Sequence, residues 1–278
     1  MQYMAPDREL GTMECIRAEL DEGILTISLN RPAQRNAMNA ALTLEMERLL
    51  ERVGFDPAVR VVVLRGEGAG FCAGMDTQDF FDAAVRDERA LRAARETANH
   101  WRVRLLRQLP QPVIAMVHGF CQGGAVAILE GCDIVLAADD TQFALPEFDA
   151  GGLPSDPSPK SISRVMTQRA ASYYSLSGHT FDGAEAERNG LVTFSLPLTQ
   201  LEAETYGLAR EFAAKDAIAV QFTKETLQHV KDMSWDAVLN FTAAKFAELK
   251  ALQAGRPSAR AAAVESFLAG KSKPGLGG

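Results

Sequence analysis

The sequence has few cysteines and no long apolar run. Its 278 residues include four cysteines, Cys15, Cys72, Cys121 and Cys132, and no two of them have the CxxC spacing of zinc and redox sites. A chain of this length needs no disulfides to hold its core, so we expect reduced thiols and a cytoplasmic location. No window approaches the roughly 18 apolar residues of a transmembrane helix, and we expect no secretion signal because the first residues are too polar.

Positive charge is also scarce. The chain has 29 basic and 36 acidic residues, which gives a net charge of −7. This balance disfavours a general nucleic-acid-binding surface, although a local basic pocket can still hold phosphates. Neither GxGxxG nor GxxxxGK[ST] occurs in the glycine-rich turns, which excludes the usual dinucleotide and nucleotide loops. We therefore expect no nucleic-acid partner and no membrane partner.

Strand and helix patterns alternate in the first part of the chain. The pattern over 15–30 predicts a β-hairpin, and residues 40–53 have apolar side chains at helical spacing. The apolar run at 59–66, interrupted only by Arg60 and Arg65, and the fully apolar run at 112–117 predict strands that are covered on both faces. Residues 77–108 between them predict a strongly charged helix.

Helical patterns dominate the rest of the sequence. The order of elements predicts an α/β core over residues 1–198 and a helical C-terminal region over 199–278. The pattern alone is compatible with an independent helical domain or with a layer that mediates oligomerisation.

Two glycine-rich turns each follow a predicted strand. GFCAGMD follows the run at 59–66, and HGFCQGGAVAILEGCD follows the run at 112–117, with Gly123 and Gly124 at a helix start. Glycine lets a ligand approach the backbone, and free N–H groups at a helix start can bind an oxygen that becomes negative during a reaction. Met75 offers a second N–H, so the two turns together predict an oxyanion hole. Each turn alone is equally compatible with a plain tight connection.

Five motifs carry a family resemblance. LNRPAQRNAMN, GFCAGMD, HGFCQGGAVAILEGCDIVLAAD, FALPEFDAGGLP and SGHTFDGAEAERNGLV resemble, in this order, the crotonase (enoyl-CoA hydratase/isomerase) superfamily over residues 14–272, and most closely its hydroxycinnamoyl-CoA hydratase-lyase branch. The resemblance implies a spiral core of ββα units and C-terminal helices that form homotrimers or dimers of trimers. It also implies an acyl-CoA thioester as substrate, with no metal and no cofactor beyond the coenzyme A of that substrate.

The resemblance also assigns roles to residues. It implies that the N–H groups of Met75 and Gly124 hold the thioester oxygen and that Glu147 is the catalytic carboxylate, while Arg31 or Arg35 meets the phosphates of coenzyme A. The residues implied to contact the substrate are Arg35, Ala37, Ala73, Asp76, Phe80, Gly123, Ala127, Gly151, Phe241 and Ala243.

One acid of the simple hydratases is absent. Those enzymes use two glutamates, and the first of them falls at Ala127 in this chain. The hydratase-lyase branch also lacks it and works with a single glutamate, which corresponds to Glu147. Glu130 and Asp156 are candidates for a second acid. The alternative for Glu130 is a structural ion pair, and the alternative for Asp156 is a turn-forming residue before proline.

Three polar positions of that branch are apolar in this chain. Two tyrosines that bind a phenolic hydroxyl fall at Phe80 and Ala243, and a serine falls at Ala127. A buried phenol would lose its hydrogen-bond partners there, which strongly reduces selectivity for hydroxylated substrates. The sequence therefore predicts a pocket, with Phe241 in its lining, for an aryl or other bulky apolar acyl group.

Three functions stay open at this point. The first is a 2-enoyl-CoA hydratase that uses Glu147, with or without retro-aldol release of an aldehyde and acetyl-CoA. The second is another acyl-CoA reaction, isomerisation or hydrolysis, with Asp156 or Glu130 as the second acid. The third is acyl-CoA binding without efficient turnover, which Ala127 favours and Glu147 disfavours.

Overall fold

The computed structural model of the protein describes residues 13–79, 87–147, 157–255 and 259–271. The chain falls into two compact units, Met1–Ala214 and Lys215–Gly278. The strands are β1 (Ile16–Asp21), β2 (Ile24–Leu29), β3 (Val61–Gly66), β4 (Val113–Val117), β5 (Phe120–Gln122), β6 (Ile134–Ala138), β7 (Gln142–Ala144) and β8 (Phe194–Leu196).

Helices connect the strands of the first unit and make up the second unit. Those of the first unit are α1 (Ala40–Val53), α2 (Glu88–Asn99), α3 (Val126–Gly131), α4 (Ser158–Val165), α5 (Gln168–Ser177), α6 (Gly183–Asn189) and α7 (Leu198–Ala213). Those of the second are α8 (Ala217–His229), α9 (Trp235–Leu252) and α10 (Ala259–Leu268). Among the described residues, no helix is long and apolar enough to cross a membrane.

Six strands form one sheet in the order β1-β2-β3-β4-β6-β8. β1 and β2 pair antiparallel, and every other neighbouring pair in this sheet is parallel. The carboxyl ends of parallel neighbours meet at one edge of a sheet. The two glycine-rich turns follow β3 and β4, so both turns leave the sheet at the same edge.

Apolar layers cover both faces of the parallel strands, as the continuous apolar runs predicted. Val62 and Leu64 of β3 belong to the cluster that contains the buried side chains of α1. Val61 and Val63 belong to the opposite cluster, with Leu201 of α7. α7 therefore completes the core of the first unit. The first unit ends at Ala214, later than the boundary between residues 198 and 199 that the sequence pattern suggested. The reason is that α7 covers the sheet and packs with the first unit.

A π-helical segment (His100–Leu105) follows α2, and a last α-helical turn (Leu106–Gln108) leads towards β4. A π-type hydrogen bond joins residues five apart instead of four, so it shifts the helix face that later side chains occupy. Trp101 and Arg102 of this segment are buried, at 0% and 2% exposure.

Candidate active site

A second, smaller set of parallel pairings assembles the predicted site. β5 and β7 form a separate two-stranded parallel sheet. Single bridges extend it, because Cys72 pairs with Cys121 and Met38 pairs with Met75, both in parallel. Four chain segments that are distant in the sequence therefore run side by side, and the residues that follow them emerge close together.

The register of β5 and β7 brings Glu147 to Gly123. Gln122 pairs with Ala144, so the chain continues from two paired ends towards Gly123 and Glu147. Glu147 Oε1 lies 2.6 Å, and its Cδ 3.3 Å, from the position that a Cβ on Gly123 would occupy. Gly123 also has a φ of 53°, which glycine adopts without strain. The carboxylate therefore lies against the backbone in the space that a side chain at residue 123 would fill.

The two glycine-rich turns touch one another. A Cβ on Gly74 would lie 2.8 Å from Gln122 O and 3.3 Å from Gly124 N, and Gly74 has a φ of 96°. Glycine at residue 74 is therefore required both by the backbone conformation and by the close approach of the second turn.

Backbone hydrogen bonds restrict the direction of the amides of Met75 and Gly124. Met38 N–H donates to Gly74 O at 2.8 Å, and Asp76 N–H donates to Met38 O at 2.9 Å. Because the carbonyl and the N–H of one trans peptide point in opposite directions, the Met75 N–H points away from Met38. The first hydrogen bond of the helical turn at Gly123 runs from Val126 N–H to Gly123 O. Gly124 comes before Val126 in this turn, so its N–H is one of the amides at a helix start that have no acceptor within the helix.

Glu147 lies at the edge of an apolar environment. The preceding residues Ala144 and Leu145 are buried, at 5% and 2% exposure, and the Oε2 atom of Glu147 is itself shielded from solvent. One oxygen of the carboxylate is thus shielded next to Gly123, while Glu147 as a whole is half-buried.

Asn36 ties the loop that precedes α1 to the first glycine turn. It is fully buried and has a φ of 55°, a conformation that asparagine tolerates better than most residues. Its Nδ2 donates to Glu67 O and Gly70 O at 2.8 and 2.9 Å, and its Oδ1 accepts from Arg31 N–H at 2.9 Å. Asn36 therefore fixes the loop that carries the predicted substrate contacts.

Several predicted substrate contacts are already engaged within this loop region. Asp76 forms an ion pair with Arg31 at 3.0 Å, and Arg31 also donates to Ala37 O. Ala73 N–H donates to Arg35 O at 3.0 Å. Arg31 is thus neutralised by a carboxylate. Of the two arginines, Arg35 is the one whose charge faces solvent.

Arg35 lies next to the second glycine turn. It is exposed, its Nη2 donates to Gln122 Oε1 at 3.2 Å, and its guanidinium lies 4.5 Å from the centre of the Phe120 ring. A cation stacked on an aromatic face keeps its free N–H groups in a defined plane. Arg35 can therefore present a fixed positive charge to an anion near Gln122.

The other predicted acid, Glu130, lies in a buried ion pair. Its side chain is 4% exposed, and its two carboxylate oxygens face Arg107 Nη2 and, at 2.7 Å, Arg164 Nε. The two arginines belong to the turn before β4 and to α4, so Glu130 joins those elements to α3. Both carboxylate oxygens are thus engaged by arginines, which favours the structural ion pair over a second acid.

The cysteines of the glycine turns are fully buried, and burial raises the pKa of both thiols, that of Cys72 to about 12. A thiol nucleophile needs the opposite shift and access to its substrate, so neither cysteine is suited to attack a thioester.

The remaining predicted contacts divide into three groups. Ala127 is fully buried in α3, one residue after Val126. Phe241 and Ala243 belong to α9 in the second unit, where Phe241 is half-buried with its ring 6.0 Å from that of His229, and Ala243 is exposed. Phe80, Gly151 and Asp156 lie outside the residues that the structure describes.

Three residues of the site were not predicted from the sequence. Asn36 and Gln122 hold neighbouring loops, and Arg102 Nη1 donates to Gly124 O at 2.7 Å. The asparagine within RNAMN is a weak signal for a left-handed residue. Gln122 and Arg102 give no signal, because their contacts depend on segments far away in the sequence.

Comparison with known proteins agrees with the motifs. The model of the enoyl-CoA hydratase/isomerase family matches residues 19–264. The chain is 34% identical to hydroxycinnamoyl-CoA hydratase-lyase of Pseudomonas fluorescens, over 96% of both chains. It is 32% identical to a mevalonyl-coenzyme A hydratase of Aspergillus fumigatus, over 76% of this chain and 77% of that protein.

Solved structures have the same architecture. The crystal structure of an enoyl-CoA hydratase from Bacillus anthracis superimposes with a TM-score of 0.82 at 26% identity, and the match covers 92% of this chain and 97% of that one. The predicted crotonase fold, with its α/β core and helical C-terminal region, is confirmed. The chain belongs to the enoyl-CoA hydratase/isomerase family.

Proposed function

We propose that the protein adds water to a 2-enoyl-CoA, with Glu147 as the acid–base group and the N–H groups of Met75 and Gly124 as the oxyanion hole. One observation carries the proposal. The Glu147 carboxylate occupies the space beside Gly123, next to the contact between the two glycine turns. An enolate-forming reaction needs a base and amide donors close to one another, and this contact supports the proposal.

The hydration step follows from these three groups. Glu147 takes a proton from water, and the water oxygen bonds to the β-carbon of the substrate. The electron pair of the double bond moves through the α-carbon to the thioester oxygen, where the two N–H groups stabilise the enolate. Glu147 then returns the proton to the α-carbon, which gives a β-hydroxyacyl-CoA and restores the carboxylate.

The same carboxylate can continue to carbon–carbon cleavage. Glu147 would remove the proton of the β-hydroxyl group, and the Cα–Cβ bond would break to release an aldehyde. The electron pair of the broken bond stays with the α-carbon and forms the enolate of acetyl-CoA. Glu147 then protonates this α-carbon. Buried Ala127 in place of a second acid and the 34% identity to a hydratase-lyase support this second stage.

The substrate is expected to be a bulky apolar acyl group, aryl or otherwise, on coenzyme A. Phe80, Ala127 and Ala243 are apolar where the hydratase-lyase branch has polar groups. Arg35 is the better placed of the two candidate arginines for the phosphates, since Arg31 is paired with Asp76. Coenzyme A enters only as part of the substrate.

The test is product analysis by mass spectrometry after incubation with cinnamoyl-, feruloyl- and crotonyl-CoA. We expect cinnamoyl-CoA to gain one water or to yield benzaldehyde and acetyl-CoA, at a rate no lower than that for feruloyl-CoA. A marked preference for feruloyl-CoA would contradict the apolar pocket. Binding of all three thioesters with no change in mass would contradict hydration and favour isomerisation, hydrolysis or binding alone.

Replacing Glu130 with glutamine tests whether Glu130 acts as a second catalytic acid. Breaking a buried ion pair is expected to lower the free energy of unfolding by roughly 2–4 kcal/mol, less than for a fully buried pair, because Arg107 and Arg164 are 27% and 25% exposed. Turnover per folded molecule should not change. Denaturant unfolding and kcat are measured on the same preparation. A kcat that falls with no loss of stability would restore Glu130 as a catalytic candidate.

We also propose that the second unit forms a homotrimer or a dimer of trimers. Trp235, Leu239 and Phe246 of α9 are 83%, 64% and 67% exposed and share one helix face. An apolar stripe of this kind on a soluble protein marks an interface. Light scattering should give three or six chains, and Leu239→Lys with Phe246→Lys should give fewer. A monomeric parent protein would contradict the proposal.

A further inference from the structure

Arg102 is a buried cation on the core-facing side of a charged amphipathic segment. HWRVRLLR carries three arginines, yet Arg102 is 2% exposed. It follows the buried Ala98 by four residues and is adjacent to the buried Trp101, so its side chain points into the core. Burying a guanidinium is costly unless its N–H groups are satisfied, so an arginine in this position calls for a specific role.

The contacts of Arg102 converge on the second glycine turn. Its Nη1 donates to Gly124 O at 2.7 Å, its Nε to Ala98 O at 3.0 Å, and its Nη2 to Asn99 Oδ1 at 2.8 Å. The planar guanidinium is thus anchored on α2 by two contacts and reaches Gly124 with the third. The contacts with α2 on one side and with Gly124 on the other therefore fix the position of the guanidinium.

The backbone around Arg102 is locked to α3 as well. A Cβ on Gly131 would lie 2.4 Å from Arg102 O, so the π-helical segment and the end of α3 are in direct backbone contact. α3 begins directly after the turn that contains Gly124. Movement of Gly124 relative to Arg102 would therefore have to disrupt both contacts.

The charge of Arg102 also reaches the first glycine turn. Burial raises the pKa of Cys72, and the positive charge of Arg102 acts in the opposite direction. Cys72 precedes Gly74 by two residues, and Gly74 is in contact with Gly124. An oxygen bound at Gly124 N–H would lie within about 9 Å of the guanidinium, counting two hydrogen bonds and the length of one residue.

We propose that Arg102 is the positioning residue of the oxyanion hole: it fixes Gly124 through the carbonyl oxygen and places a positive charge behind the amide that receives the enolate. This inference rests on the proposed function of Met75 and Gly124. Arg102 acts through Gly124, so its effect should be on the charged enolate much more than on the neutral thioester.

The experiment compares a neutral and an ionisable ligand in Arg102→Gln and Arg102→Lys. Butyryl-CoA reports binding of the neutral thioester, and the ultraviolet absorbance of bound acetoacetyl-CoA reports its enolate. Glutamine keeps one donor without the charge, whereas lysine keeps the charge. We expect Arg102→Gln to weaken enolate binding and to lower kcat about 10–100-fold, with the affinity for butyryl-CoA unchanged, and Arg102→Lys to retain most of both properties.

Arg107→Gln is the matched control, because it removes a nearby arginine that contacts Glu130 instead of Gly124. It should leave the ratio of enolate to thioester affinity at the parental value. A parental ratio of enolate to thioester affinity in Arg102→Gln would overturn the inference, and equal weakening of both ligands at that ratio would make Arg102 merely structural. If Arg102→Gln does not fold, the test falls to Arg102→Lys. Because lysine keeps the charge, a ratio of enolate to thioester affinity well below the parental value in this variant would overturn the inference. A parent protein that binds butyryl-CoA but not the enolate would instead overturn the oxyanion hole itself.

Discussion

Glu147→Gln is expected to lower the rate of hydration about 10²–10⁴-fold while acyl-CoA binding persists. Glutamine has nearly the same shape as glutamate and can occupy the same space beside Gly123, but it cannot accept a proton from water. In the proposed mechanism this group acts both on the water and on the α-carbon, so no second residue can compensate. The effect should appear in kcat, measured by product formation, with the dissociation constant of butyryl-CoA within a few-fold of the parent.

The comparison with Glu130→Gln makes this result specific. Both variants replace a glutamate close to the glycine turns by a neutral amide, but Glu130 is held between two arginines and Glu147 lies against Gly123. Loss of turnover in Glu147→Gln alone assigns the chemistry to Glu147. Turnover that survives in Glu147→Gln would exclude the proposed mechanism, and a loss in both variants would indicate a pair of acids.

The larger elements of the first unit could be predicted from the sequence. The apolar spacing over 40–53 coincides with α1, and the apolar runs at 59–66 and 112–117 contain β3 and β4. These segments are long enough for a hydrophobic period or a continuous run to be distinctive. Since both strands are apolar except for Arg65 near the end of β3, their coverage on two faces was also predictable, although α7 as one of the covering elements was not.

The contact between Gly123 and Glu147 could not be read from local pattern. It depends on β5 and β7, which have three residues each, and three residues are too few to show a period. The family resemblance pointed to Glu147, but the physical reason for its position is the pairing of Gln122 with Ala144. Register between distant segments is a property of the folded chain.

Arg102 shows a different limit of sequence interpretation. Counted from the buried residues Ala98, Trp101 and Leu106, a helical period places residue 102 on the core-facing side, where an arginine is unexpected. Nothing in HWRVRLLR indicates that Gly124 O lies opposite this side chain. The same sequence is therefore compatible with an exposed arginine and with one bound to Gly124.

Gly74→Ala is expected to lower kcat about 10²–10³-fold, as loss of one oxyanion-hole donor does in other enzymes. Alanine would have to adopt a φ of 96°, and its Cβ would lie 2.8 Å from Gln122 O and 3.3 Å from Gly124 N. Both neighbours are backbone atoms that cannot rotate away, so the two turns must separate. Separation moves Met75 N–H and Gly124 N–H apart, and one of them no longer reaches the thioester oxygen.

Gly207→Ala is the matched control for this variant. Gly207 lies within α7, and a Cβ there would meet nothing within 4 Å. Alanine should leave turnover unchanged and raise the free energy of unfolding by up to about 1 kcal/mol, because it is the better helix former. If Gly74→Ala keeps the parental kcat while thermal unfolding shows it to be folded, the two turns need not touch for catalysis. The thioester oxygen must then be held elsewhere, because a hole shared by both turns depends on that contact.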